Sequence, residues 1–267
     1  MRLSGSAIEV GVSKTSVSTA VRKIFFVIGA TMALAQGTQA AEIKLLSSAA
    51  IKPVIEVLGP QFERATGNKL VAKFELTPAV KTQIEAGEAF DVAIANPAHI
   101  DDLIKQGKIA AGTGVDIARF GVGIGVRAGA PKPDISSVDG LKRTLLNAKS
   151  VAYVGEGTSG VFVRNLLEKL KITEDMRTKL KPGGIAASLS AVAQGEAEIV
   201  VMPVPLILAN LGVELAGPVP TELQDHIALT AGISPKAPEA AQALIKFLMA
   251  PEVNAVLSAK GYERVTR

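Results

Sequence analysis

The sequence predicts an α/β protein built on mostly parallel sheets flanked by helices. Three observations point there. Short apolar runs alternate with segments of helical periodicity along most of the chain. A strand-like stretch leads through closely spaced glycines into an amphipathic helix at Val151–Leu170. The 267 residues are 48% hydrophobic and 20% charged, enough to bury a sizeable core and to divide into two lobes. Aromatic residues make up 4% and Trp is absent, so that core must be aliphatic.

The first forty residues read differently from the rest. Arg22 and Lys23 precede the apolar run Ile24 to Ala35, and small residues follow up to Ala40. Basic, apolar, then small is the pattern of a secretory signal peptide cut after Ala40. The run is too short to span a bilayer comfortably, and no later stretch is long and apolar enough to do so. This segment holds Arg2, Lys14, Arg22 and Lys23 against Glu9 alone, three of the chain's net four positive charges. What remains is nearly neutral, which argues against a nucleic-acid groove. There is no cysteine, so no disulfide, thiolate metal site or cysteine-linked lipid. Export without a lipid anchor places the chain in a bacterial periplasm.

After Ala40, Ile43 to Leu46 reads as a strand ending in Ser47-Ser48. A helix follows from about Lys52 to Thr66, stopped by Gly67. Lys69 to Phe74 alternates like a strand. Thr77-Pro78 starts a helix, with Thr77 as N-cap and Pro78 at the first helical position, running to Gly87. Phe90 to Ala95 is a buried-strand candidate, and Pro97 opens a helix closing near Gly107. Gly121 to Gly129 reads as a strand, with the Pro-rich link Ala130 to Asp134 after it. A helix from about Val138 to Asn147 comes next. Ile185 to Gln194 is helical. Ala197 to Met202 is a buried strand broken by Pro203 and Pro205. Strands near Val213 to Ala216 and Ile227 to Thr230 precede two closing helices, about Glu239 to Met249 and Pro251 to Lys260. No internal repeat is visible.

Gly155, Gly157 and Gly160 form G-x-G-x-x-G between a strand and a helix, the setting of a dinucleotide-binding turn. That reading also needs a strand directly after the helix, ending in an acidic residue for the ribose. Here Glu174 and Asp175 fall in what reads as a helix start, and export removes the chain from soluble nicotinamide cofactors. No nucleotide cofactor is expected. The turn still places free N–H groups at a helix N-terminus, suited to an anion, beside the hydroxyls of Thr158 and Ser159.

Taken in order, "IKLLSSAA", "FELTPAVKTQIEAGEAFDVAIA", "VGIGVRAGAPKPD", "GTSGVFVRNLLEKL" and "GEAEIVV" resemble the type II periplasmic solute-binding proteins of ABC transporters, most closely the molybdate-binding-like branch. The resemblance implies two lobes joined by two crossovers and closing on a ligand. The first lobe is then about 41–120 with 228–267, and the second 121–227. It also implies ligand contacts from Ser47 to Ala50, Thr77 to Ala79, Thr158 to Gly160 and Val200 to Pro203. The molybdate pattern has hydroxyls where Ala50, Pro78 and Val201 stand here. A doubly charged oxyanion needs many convergent donors. The expected ligand is therefore a small anionic solute, an organic carboxylate or polycarboxylate. Its charge would lie on Ser47, Ser48, Thr77 and Pro78 of one lobe and on Thr158, Ser159 and Gly160 of the other. Its carbon skeleton would lie against Met202 and Pro203. Arg119, at the first crossover, is the candidate for a two-pronged clamp on a carboxylate; Arg127 and Arg164 are the other arginines near the cleft.

The expected role is capture of that solute by a monomer for a membrane permease. The alternative is a cofactor-free isomerase of the aconitate type, since "DIARFGVGIGVRAGAPKPDI" resembles the crossover of such proteins. Glu156, Ser47, Ser48 and Thr77 are its candidate acid–base groups. A periplasmic ligand sensor uses the same fold. His99 and His226 lie in no metal-spacing motif, so no metal is expected.

Overall fold

The computed structural model describes residues 40–265. The segment read as a signal peptide therefore lies outside the described residues apart from Ala40. Two five-stranded sheets organise the rest. The first contains β1 (Glu42–Ser48), β2 (Lys69–Glu75), β3 (Val92–Ala95), β4 (Val115–Phe120) and β10 (Ile227–Ile233), in the order β2-β1-β3-β10-β4. The second contains β5 (Val122–Arg127), β6 (Val151–Val154), β7 (Leu180–Gly183), β8 (Ile199–Pro203) and β9 (Val213–Pro218), in the order β7-β6-β8-β5-β9. In each, three strands pair in parallel, and one strand runs against its neighbours. That strand is β10 between β3 and β4, and β5 between β8 and β9.

Burial explains the sequence pattern. All four residues of β3 and all five of β8 are buried, as expected of central strands covered on both faces. Helices supply the cover. They are α1 (Lys52–Thr66), α2 (Thr77–Glu85), α3 (Pro97–Lys105), α4 (Val138–Asn147), α5 (Gly157–Leu170), the short α6 (Thr173–Met176), α7 (Ile185–Ala193), α8 (Val204–Leu208), α9 (Ala240–Met249) and α10 (Val253–Ala259). Gly67 ends α1 in a left-handed conformation at φ 75°, returning its N–H to the Glu63 carbonyl. Ser137 caps α4 by accepting from the Gly140 N–H at 3.1 Å. No single helix among the described residues is long and apolar enough to cross a membrane. The apolar pair α9 and α10 is bent by 64° and buries Leu244, Leu248, Val253 and Leu257.

Four elements depart from the sequence reading, the first being β4, a strand over Val115–Phe120 where no element is expected. Thr77 is not an N-cap: Leu76 holds that position, Thr77 is the first helical residue, and its hydroxyl donates to Ser48 Oγ at 3.1 Å. A strand, β7, does follow α5, but only after α6, which takes up Glu174 and Asp175 as expected. The Pro203–Pro205 break contains a helical turn, α8.

The chain passes between the sheets twice. Gly121 separates β4 from β5, and residues 219–226 connect β9 to β10. The Gln224 side chain ties the passages together. Its Oε1 accepts from the Val122 N–H at 2.9 Å, and its Nε2 donates to the Val122 carbonyl at 2.8 Å. A Cβ on Gly121 would fall 2.8 Å from Gln224 Nε2, so glycine permits this approach. Near the end of the chain, the Tyr262 hydroxyl donates to the Ala50 carbonyl, and its ring meets Phe120 edge-on at 5.8 Å. Burial pushes the Tyr262 phenol well above its ordinary range, so it stays a donor.

Candidate ligand cleft

In open sheets of this kind ligands bind beyond the carboxyl ends of the strands. Here the carboxyl ends of both sheets border one cavity. Ser48 ends β1, Glu75 ends β2 and Asn96 follows β3. From the second sheet come Val154 at the end of β6, Glu156 to Ser159 leading into α5, Ile185 after β7, and Pro203 at the end of β8. Phe120 and Ile227 close the side next to the crossovers, with Leu206 of α8. The cavity leaves about 30 Å³ open to the centre of a water-sized sphere, room for about two waters. A larger solute needs the lobes slightly further apart.

The hydroxyls sit where local sequence puts them. Ser48 and Thr77 are buried, and Ser48 Oγ accepts from both the Ala50 N–H and the Thr77 hydroxyl. Opposite them, α5 starts with no side chain capping it, so its first-turn N–H groups lack intrahelical partners. The three glycines act on backbone geometry. Gly157 adopts φ 71°, and a Cβ on Gly160 would lie 2.5 Å from the Gly155 carbonyl oxygen. That contact lets α5 start directly against β6. The lobes touch at this point, where Asn96 Nδ2 donates to Thr158 Oγ1 at 3.0 Å. Asn96 Oδ1 is buried with no donor.

Of the residues named from the sequence, Ser48, Ala50, Thr77, Glu156, Gly157, Thr158, Ser159 and Pro203 line the cavity. Ser47 is fully buried behind it, its hydroxyl donating to the Ser48 carbonyl at 3.3 Å. Pro78 is exposed at the start of α2, Gly160 packs on the β6 backbone, and Met202 belongs to the apolar cluster under α7 and α8. Arg119 is not brought to the cavity. Its guanidinium is exposed and held by Glu263, with Nε and Nη2 each 2.8 Å from the same carboxylate oxygen. Arg164 donates to the Gly155 carbonyl at 3.4 Å, and Arg127 is exposed at the far end of β5.

The sequence reading passed over Asn96, Glu75, Phe120, Ile185, Leu206 and Ile227. Asn96 had a signal. Like Thr77, it is a polar residue just before a proline that opens a helix after a strand. The apolar wall had none, because its members reach the cavity from both lobes.

Residues 43–263 match the family model for bacterial extracellular solute-binding proteins. The chain belongs to that family. Within it the chain is a type II periplasmic solute-binding protein of the molybdate-binding-like branch. It is 30% identical over 231 residues to an aconitate isomerase of a Pseudomonas species, covering 84% of this chain and 88% of the relative. It is also 30% identical over 258 residues to the molybdate-binding protein ModA of Azotobacter vinelandii, covering 92% and 98%. The solved periplasmic molybdate-binding protein of Azotobacter vinelandii shares the fold at TM-score 0.67 and 20% identity, covering 84% of this chain and all of that one.

Proposed function

We propose that this solute-binding protein captures a small organic carboxylate between its lobes and presents it to the permease of an ABC importer. It would do so in the periplasm, after removal of residues 1–40. The observation that carries this is the composition of the cavity wall. Hydroxyls of Ser48, Thr158 and Ser159 and the free N–H groups of α5 meet a wall of Leu76, Phe120, Ile185, Pro203, Leu206 and Ile227. Donors suit a carboxylate, and the apolar wall suits a carbon skeleton. A ligand that touches both lobes favours the closed arrangement, which the permease would read.

Titration calorimetry with a panel of carboxylic acids and with molybdate tests the proposal. Binding of a carboxylate is expected, weakened roughly 5- to 10-fold by Ser159→Ala, about one hydrogen bond. Tight molybdate binding with no response to any carboxylate would overturn it.

A second reading, isomerisation in the same cleft, is favoured by Glu75 and Glu156 on the cavity wall. A cofactor-free proton shift needs a base and an acid beside the reacting carbons. Incubation with cis- and trans-aconitate separates the readings: interconversion supports catalysis, and unchanged ratios with measurable binding support capture.

A further inference from the structure

Tyr262 does not line the cleft cavity, yet its hydroxyl acts on a residue that does. It lies near the end of the chain, 2% exposed, and donates to the Ala50 carbonyl. Its place is fixed from three sides. The ring meets Phe120, itself part of the cavity wall, edge-on. Before it, Gly261 packs on α8 of the second lobe, where a Cβ would fall 2.9 Å from Leu208 Cδ1 and 3.0 Å from Val204 Cγ1. After it, Glu263 and Arg119 exchange two backbone hydrogen bonds of 2.8 Å.

Ala50 passes this anchoring on to Ser48. Its carbonyl accepts from Tyr262, and its N–H donates to Ser48 Oγ at 3.3 Å. Ser48 Oγ also accepts from the Thr77 hydroxyl at 3.1 Å. A serine hydroxyl has two acceptor lone pairs and one proton. Both lone pairs are taken, so Ser48 has only its proton left to offer. No described residue accepts that proton, and Ser48 lines the cavity. An ionised ligand group can only accept, so it needs the proton and is repelled by a lone pair. With either donor lost, the Ser48 hydroxyl is free to turn a lone pair toward the ligand instead.

We propose that Tyr262 is a positioning residue for ligand capture: by pinning Ala50 it keeps the Ala50 N–H on Ser48 Oγ and so aims the Ser48 proton at the bound anion. The proposal rests on the capture of an anion in this cleft. It adds a determinant of affinity that does not itself touch the ligand.

The test is titration calorimetry on the full mature chain with acetate, succinate, citrate and molybdate. The tightest-bound of these is carried through a double-mutant cycle. Tyr262→Phe removes the hydroxyl and keeps the ring on Phe120; Ser48→Ala removes the group being aimed. Tyr262→Phe is expected to weaken binding about fivefold in the unmodified chain and less than about twofold in the Ser48→Ala background. Glu263→Gln loosens the same terminal segment from Arg119 without touching Ala50, and should leave affinity within about twofold. Melting curves establish that each variant folds; Tyr262→Leu, which also lacks the hydroxyl, replaces Tyr262→Phe if that variant does not. Equal weakening in both backgrounds marks a purely structural role and overturns the proposal, as does unchanged affinity in Tyr262→Phe. In either case carboxylate capture stands if a carboxylate is bound. If molybdate alone binds, carboxylate capture fails and the cycle on molybdate decides the role of Tyr262. If no probe binds, both fail.

Discussion

His99 shows how one side chain ties the fold to its surroundings. It lies on α3, facing α2, with Nδ1 buried and without a hydrogen-bond partner. Burial, and then the nearby Lys81 ammonium, pull its pKa below the ordinary histidine value; Asp102 and Glu85 oppose this more weakly. The unfolded chain therefore binds a proton more readily than the folded one. Stability should fall as pH drops below about 6.5, the unperturbed histidine value. Asp102 is held below the usual carboxylate range by its hydrogen bond from Lys81 at 2.9 Å, so its own contribution is lost only at lower pH, through the carboxylate range. Urea unfolding at pH 7.5 and 5.5 checks this: His99→Gln should lose less stability between the two than the unmodified chain. At this scale the sequence was most readable where chemistry and backbone coincide. Ser48, Thr77, Thr158 and Ser159 stand at the ends of strands and the starts of helices, where small hydroxyl residues are favoured and where clefts form. Arg119 was unreadable for the opposite reason. Its partner Glu263 lies 144 residues away, and nothing local says which way a guanidinium points.

Among the elements, the glycine turn is the instructive case. Its spacing matches a nucleotide-binding motif, yet each glycine has a packing reason. A Cβ on Gly155 would lie 2.9 Å from Pro182 Cβ, Gly157 needs a positive φ, and Gly160 sits on the β6 backbone. Gly160→Ala should therefore destabilise by about 2 kcal/mol, because the opposing atoms are backbone and cannot step aside. Gly114→Ala is the control: its new Cβ would meet only Ile104 Cδ1 at 3.5 Å and two more distant methyls, and it should cost nothing measurable. Thermal unfolding of the two variants gives the comparison. Most strands and helices were legible because their apolar periodicity is strong. β7 was not, since Leu180–Gly183 is Leu-Lys-Pro-Gly, half exposed and lying at a sheet edge where proline is tolerated. α8 hid behind two prolines that read as a break but serve as a strand end and a first helical turn.

Across the whole molecule, the two sheets share one plan that no internal repeat in the sequence announces. Each has a parallel trio, then a strand that arrives from or leaves for the other lobe, then an edge strand. The matching loops of the two lobes border the same cavity, and the passages between lobes run side by side under Gln224. Replacing Gln224 by Ala leaves the Val122 N–H and carbonyl without these partners. That should cost about 1–3 kcal/mol, read as a lower urea midpoint. This plan was legible only through the resemblance of ordered segments, because strand order depends on contacts far apart in the chain. The strand order has a further consequence for how the protein is made. The second sheet draws all its strands from residues 122–218, whereas the first cannot close until residues 227–233 insert between two strands synthesised over a hundred residues earlier. In a chain that emerges from its amino end, the half encoded later has all its strands first, and the half begun first waits for residues 227–233.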